Sequence, residues 1–247
     1  MTTSSESPTM EPNFYPLITQ LADVIVQSWQ QHLDLDPFEL PEGLGYIEGK
    51  LDDERLMIRN TCYQSKHFRK MHLEMAKVGT NLDILHCVMF PHSEYALPMF
   101  GCDIVATPKG ISAAIADLSP TNATQTLDPV YEERLLEGHK KLNFSQPRVL
   151  PEWGAIFSKY CIFIRPSSPD EEQLFVSRVQ AFLDIHCQIA LESQPLPAEQ
   201  QQIHLAGQQN YCAEQQKNDK TRRILEKAFD AEWAELYFSQ VLFDIPA

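Results

Sequence analysis

Between Tyr46 and Leu118 the chain breaks into short runs with very little sequence between them: Tyr46–Leu51, Arg55–Thr61, Phe68–Val78, Leu82–Phe90, Met99–Thr107 and Ile111–Leu118. Asp52-Asp53-Glu54, Gly79-Thr80-Asn81 and Pro108-Lys109-Gly110 serve as three of the connectors. Runs of this length bounded by Gly, Pro, Asn and Asp read as strands. A parallel crossover needs about a dozen residues or more, so connectors this short join antiparallel neighbours. The middle of the chain is therefore predicted to be an antiparallel meander, with a further strand over Tyr160–Arg165.

Helical patterns lie on both sides of it. From Leu17 to Leu33, side chains at 17, 21, 24, 25 and 28 or 29 share one face, and Pro16 sits where a first-turn proline belongs. A Pro/Gly-rich connector, Asp36–Gly45, leads into the strands. After them, Ser168-Pro169-Asp170-Glu171 carries a capping-box signature, followed by an apolar stripe of Leu174, Phe175, Phe182, Leu183 and Ile189. Two more helices are predicted over Ala198–Gln216 and Thr221–Val241, the second with a break near Asp230. Strands grouped together with helices outside them predict an α+β sandwich. With no internal repeat or long low-complexity tract, residues 13–247 read as one domain, and 1–12 as a short disordered tail.

Charge narrows the partners. Lys and Arg number 20 against 34 Asp and Glu, a formal net charge of −14, which disfavours nucleic acid and anionic bilayers. No run of eighteen or more apolar residues is present, and the N-terminal segment does not read as a leader. The six cysteines lie far apart, without the close pairs of zinc or iron–sulfur ligation, and mostly inside apolar runs. They are expected to be buried reduced thiols in a cytoplasmic protein, with no metal site.

Nucleotide and acyl-transfer signatures are missing. No phosphate-loop pattern occurs, and Gly43-Leu44-Gly45-Tyr46-Ile47-Glu48-Gly49 has one residue too many before its last glycine and does not follow a strand. No Gly-x-Ser-x-Gly elbow is present.

Strand alternation instead exposes a chemical anomaly. In Phe68–Val78, His72 and Glu74 share the face opposite Met71, Leu73 and Met75; in Leu82–Phe90, His86 shares a face with Ile84 and Val88; and Asp103 interrupts Phe100-Gly101-Cys102-Asp103-Ile104-Val105. One reading is a solvent-exposed sheet face with ordinary surface residues. The other is a polar pocket, because a buried carboxylate such as Asp103 is expected to be needs partners or a wet cavity. A second anomaly is basic: Lys217-Asn218-Asp219-Lys220-Thr221-Arg222-Arg223, then Lys227, gathers five cations in an acidic chain. Such a run is either a solvated helix face or an anion site, which Lys66, Arg69 and Lys70 would extend.

Several strings carry a family resemblance: Arg69-Lys70-Met71-His72-Leu73-Glu74-Met75-Ala76-Lys77, Leu82-Asp83-Ile84-Leu85-His86-Cys87-Val88-Met89-Phe90-Pro91, Phe100-Gly101-Cys102-Asp103-Ile104-Val105, and the basic run from Lys217 to Arg223. Together they resemble the phycocyanobilin-forming branch of the ferredoxin-dependent bilin reductases, from about Tyr15 to Asp244. The resemblance implies a three-layer α/β/α sandwich with a central antiparallel sheet, holding biliverdin IXα between the sheet and the C-terminal helices. It implies four electrons arriving singly from an acidic [2Fe-2S] ferredoxin, bilin radical intermediates, no bound metal or flavin, and a monomer.

Carried over by position, Asp103 looks like the central proton-donating carboxyl, with His86 as its partner. Glu74 looks like the donor to the D-ring vinyl group, and His72 like the residue that links and orients them. Ser112, Arg148, Asn218 and Lys220 match propionate-holding positions, and Trp153 an aromatic beside the pocket. Lys217, Arg222, Arg223 and Lys227 are expected to face ferredoxin. An acid poised near neutrality requires burial, for which Asp103 is the expected candidate. A bilin or haem carrier that binds without reducing, a sister bilin reductase giving a different product, and a nicotinamide-dependent enzyme remain as alternatives.

Overall fold

The computed structural model describes residues 13–140 and 142–245, so the tail expected over residues 1–12 lies outside the described residues. Its centre is the predicted meander. Strands β1 (Asp36–Pro37), β2 (Tyr46–Leu51), β3 (Glu54–Gln64), β4 (Phe68–Val78), β5 (Leu82–Pro91), β6 (Met99–Thr107), β7 (Gly110–Ser119) and β8 (Ile162–Ile164) form one sheet in the order β1-β3-β4-β5-β6-β7-β8, with β2 also on β3. Every pairing is antiparallel. The β2–β3 turn shows why its sequence works. Asp52 and Asp53 both take positive φ, 51° and 66°, the conformation that a two-residue hairpin loop demands and that Asp tolerates. β3 runs three residues past its expected end because Cys62 and Tyr63 still pair with β4 and Tyr63 and Gln64 pair with β1.

Helices cover both faces. On one side, α1 (Pro16–His32), α2 (Pro129–His139) and α3 (Pro169–Glu192) bury Leu21, Ile25, Trp29, Leu135, Phe175, Phe182 and Leu183 against Met71, Leu73, Leu85, Cys87, Cys102 and Ile104 of the sheet. On the other, α4 (Ala198–Gln215), α5 (Asp219–Ala228), α6 (Ala231–Tyr237) and a π-helical turn, Phe238–Leu242, bury Tyr211, Leu225, Tyr237, Phe238 and Val241 against Ile58, Ala76, Val88 and Phe90. The architecture is thus a three-layer α/β/α sandwich with an antiparallel sheet at its centre.

Half of the capping box at Ser168 forms, its hydroxyl accepting from Glu171 N at 3.3 Å, while the Glu171 carboxylate accepts from Ser167 N and Ser145 N at 2.7 and 2.6 Å rather than from Ser168 N. Sequence reading missed α2, although Asp128-Pro129 repeats the signal: the Asp128 side chain accepts from Val130 N at 3.1 Å, and Pro129 fills the first turn. The expected break near Asp230 separates α5 from α6. All six cysteines are free.

Near its C-terminus the chain is tied back to β4. Asp244 pairs with both Arg69 and Lys70, the Lys70 ammonium also donates to Val241 O at 2.9 Å, and both cations lie over the Phe90 ring. Lys70 is wholly buried, so it does not extend the basic surface as the sequence suggested.

Candidate functional site

One rung of the sheet crosses β3 to β6 through Asn60, Glu74, His86 and Asp103, each the direct partner of the next. It continues through Ile115 and Phe163. Directly opposed residues in an antiparallel pair project to the same face with Cβ atoms roughly 4.5–5.5 Å apart, so four polar side chains stand side by side. His72, two residues before Glu74, shares that face. This is the face under α4, α5 and α6. On β6 and β7 it is half open: Gly101, Asp103, Val105, Ala113 and Ile115 are only partly buried, while alternating neighbours such as Cys102, Ile104, Ala114 and Ala116 are fully buried. At Gly101, an added Cβ would sit 2.9 Å from the Tyr211 hydroxyl, so only glycine lets α4 approach this closely.

Two hydrogen-bonded groups make up the row. His86 Nδ1 lies 2.6 Å from Asp103 Oδ1. Burial disfavours the His86 cation, but the Asp103 carboxylate, with Glu74 beside it, outweighs that penalty and raises the imidazole above its usual range. In the second group, the Tyr237 hydroxyl lies 2.5 Å from Glu74 Oε2 and 3.0 Å from Asn60 Oδ1, and His72 Nε2 lies 2.8 Å from that same Asn60 oxygen. The Asn60 amide donates to Leu44 O at 2.7 Å, which turns its oxygen toward His72 and Tyr237. His72 is therefore the donor of its pair.

Burial sets the protonation states. It pushes His72 well below the usual imidazole range, assisted by the charges of His86 and Lys70, so the ring is neutral. It raises the Glu74 carboxyl, against the opposing pull of His86 and the Tyr237 hydrogen bond. The row thus offers a buried carboxyl, raised by burial, beside an imidazole–carboxylate pair. The remaining ring nitrogens, His72 Nδ1 and His86 Nε2, are buried without partners. Each such orphan costs about 1–3 kcal/mol, which a polar ligand atom would offset.

The two sequence readings of this face resolve in a mixed way. His72 and Glu74 are not surface residues; they are 0% and 8% exposed. Asp103 is not buried, however, since 41% of its side chain is exposed. The apolar string around it misleads because Cys102 and Ile104 point to the opposite face. Glu74 is the carboxyl that burial raises.

Of the other expected residues, Ser112 and Arg148 are brought together: Arg148 donates to Ser112 O at 2.7 Å, and its guanidinium lies over the Phe163 ring. Asn218 and Lys220 lie at the start of α5, the helix that packs on β2, with Lys220 exposed. Trp153 is half-buried against Phe157, in a 3-10 turn over Glu152–Ile156. The basic run is less positive than its sequence suggests: Lys217 pairs with Glu214, Arg222 with Glu235, Arg223 with Asp219 and Lys227 with Asp52. Among the described residues, no group of three or more His, Cys, Asp or Glu is arranged to hold a metal ion.

Tyr237, Asn60 and Phe243 were not foreseen. Phe243 packs edge-on against His86 at 5.4 Å. Trp233 and Tyr237, spaced i and i+4, share one helix face, and only the packing of that face over β4 brings a hydroxyl into the row.

Comparison with known proteins bears on this geometry. The family model for ferredoxin-dependent bilin reductases matches residues 22–244. A phycocyanobilin:ferredoxin oxidoreductase of Trichodesmium erythraeum is 51% identical over 231 residues, 94% of each chain. Proteins of the same name from Synechococcus elongatus and Gloeobacter violaceus are 49% identical over 99% of each chain, and 47% identical over 98% of this chain and 94% of that one. Among solved structures, phytochromobilin synthase from tomato in complex with biliverdin superposes with a TM-score of 0.77, covering 92% of this chain and 82% of that one. At 17% identity, that likeness is one of fold.

Proposed function

The chain belongs to the ferredoxin-dependent bilin reductase family, and from that premise we propose that it reduces biliverdin IXα to phycocyanobilin, with four electrons from reduced ferredoxin and four protons drawn through Glu74, His86 and Asp103. The observation that carries this reading is the in-register row of those three side chains on a half-open sheet face.

The bilin lies against that face under the C-terminal helices and takes electrons one at a time, so the first and third additions leave radicals, and each added electron is matched by a proton that neutralises its charge. No resident metal or flavin takes part. The Asp103–His86 pair acts on the pyrrole and lactam core: a raised imidazole held by a carboxylate that solvent reaches can deliver a proton and be recharged. His86 Nε2 is free to meet a lactam oxygen. Glu74, whose carboxyl burial raises, serves one vinyl group, and His72 orients the row through Asn60. Ser112, Arg148, Asn218 and Lys220 hold the propionates at the two margins of the face, with Trp153 beside them. An acidic ferredoxin docks on α5, its carboxylates replacing the intramolecular partners of Lys217, Arg222, Arg223 and Lys227.

Anaerobic mixing of the protein with biliverdin and reduced ferredoxin tests this reading by absorbance and chromatography. The expected result is transient radical absorption followed by phycocyanobilin as the eluted product. A bound spectrum that never changes marks a carrier, a different reduced bilin marks another branch of the family, and turnover with NADPH in place of ferredoxin overturns the assigned electron donor.

A further inference from the structure

From the helical layer Tyr237 reaches into the proton-donating row, and its hydroxyl contacts Glu74 and Asn60 at 2.5 and 3.0 Å. We propose that Tyr237 is a positioning residue for Glu74: it fixes the carboxyl through Oε2 and stabilises the carboxylate left behind when Glu74 protonates a bilin vinyl group. This rests on the assignment of Glu74 as a proton donor.

Hydrogen counting supports it. Tyr237 has one hydrogen for two acceptors, and burial, reinforced by the neighbouring Glu74, holds its phenol well above the usual range, so it remains an O–H donor. While Glu74 is neutral, Asn60 Oδ1 and Glu74 Oε2 compete for that hydrogen. Once the carboxylate forms, Glu74 wins, because a hydrogen bond to a charged acceptor is roughly twice as strong. Asn60 is not stranded by the switch, since its oxygen still accepts from His72 at 2.8 Å. The interaction therefore strengthens as the proton leaves, which is the condition for it to accelerate the step.

The hydroxyl is also held in place. Trp233 stacks on Tyr237 at 4.9 Å and 12°, and Phe229 stacks on Trp233 at 3.9 Å and 27°. Phe229 in turn occupies the space over Gly49 of β2, where a Cβ would come within 2.6 Å of the ring. A hydroxyl fixed by a supported stack loses little entropy when it engages the carboxylate.

The step balances simply. The bilin first accepts an electron from reduced ferredoxin. The Glu74 O–H bond, on Oε1, then breaks; its electron pair stays on the carboxylate, and the proton forms a C–H bond at the vinyl carbon. The titratable groups facing Glu74 are His72 from its own strand, His86 from β5, Asp103 from β6 and Tyr237 from α6, with Cys62 of β3 near Tyr237.

Tyr237→Phe keeps the ring and removes the hydroxyl. In the ligand-free protein, the infrared band of the protonated carboxyl, assigned to Glu74 by its loss in Glu74→Gln, should persist to higher pH in Tyr237→Phe than in the parent. In anaerobic turnover, the Glu74-dependent vinyl reduction should slow by about tenfold or more, the effect of losing one hydrogen bond to a charged group, and a partly reduced bilin should accumulate. An unchanged carboxyl titration together with an unchanged product profile in folded Tyr237→Phe overturns the proposal. If Glu74→Gln itself matches the parent in product profile, it is the assignment of Glu74 that fails.

Discussion

His86 Nδ1 and Asp103 Oδ1 stand 2.6 Å apart, one buried and the other partly in solvent. The pair therefore joins a group that water cannot reach to one that it can. Asp103→Asn removes the leading contribution that holds the imidazole up and leaves burial, which pushes it down. The half-protonation point of His86, followed by the pH dependence of its ring resonances, should move to lower pH, and bilin turnover should nearly cease. An unmoved resonance would dissociate the imidazole from Asp103.

Glu74→Gln keeps the shape of the side chain and withdraws its transferable proton. Reduction at one ring should fail while the other proceeds, so a two-electron-reduced bilin should accumulate on chromatography. Product identical to that of the parent removes Glu74 from its assigned step.

Asp244→Ala leaves the Lys70 ammonium buried beside Phe90 without its carboxylate. Breaking one side of a buried pair typically costs about 3–5 kcal/mol, whereas replacing both sides by apolar groups is often close to neutral. Urea unfolding should show that loss for Asp244→Ala and recovery of much of it when Lys70→Met is added. Additive losses in the double variant would show that the two residues are not coupled.

Asp117 accepts from Ser119 Oγ, Ser158 N and Ser158 Oγ at 2.6–2.9 Å, yet burial pushes its carboxyl up to about 6 from an ordinary 3.8. A carboxyl raised on folding stabilises below its unfolded value, and that contribution is lost as pH rises through the folded value. The window is pH 4 to 6, and two units correspond to a stabilisation on the order of 3 kcal/mol. The difference in unfolding free energy between parent and Asp117→Asn should shrink between pH 4 and pH 7. A constant difference would place the Asp117 titration outside this window.

If ferredoxin docks through the α5 cations, the concentration giving half-maximal rate should rise steeply with salt, because the Debye length shortens from about 30 Å at 0.01 M to about 8 Å at 0.15 M. Arg223→Glu should raise it further. A salt-independent value would move the docking site elsewhere.

The sheet was legible because alternation and tight turns are local signals: β4, β5 and β7 ended within one residue of expectation. The site was legible only as far as alternation reaches. It put Glu74 and His86 on patterned faces, but it could not say that Asp103 stays half open, since that depends on which helices cover β6. Tyr237 was beyond it altogether, being 163 residues from Glu74 in sequence. The ion pairs of the basic run were out of reach for the same reason, because Asp52 and Glu235, which pair with Lys227 and Arg222, come from other elements.

The clamp on Asp244 also sets an order of events during synthesis. Lys70 emerges early, and its carboxylate partner follows 174 residues later. A contact of such separation forms late. Until Asp244 clears the ribosome, β4 carries an unmatched cation and Phe243 is not yet against His86, so the nascent chain has a nearly finished sheet whose polar row is still uncovered.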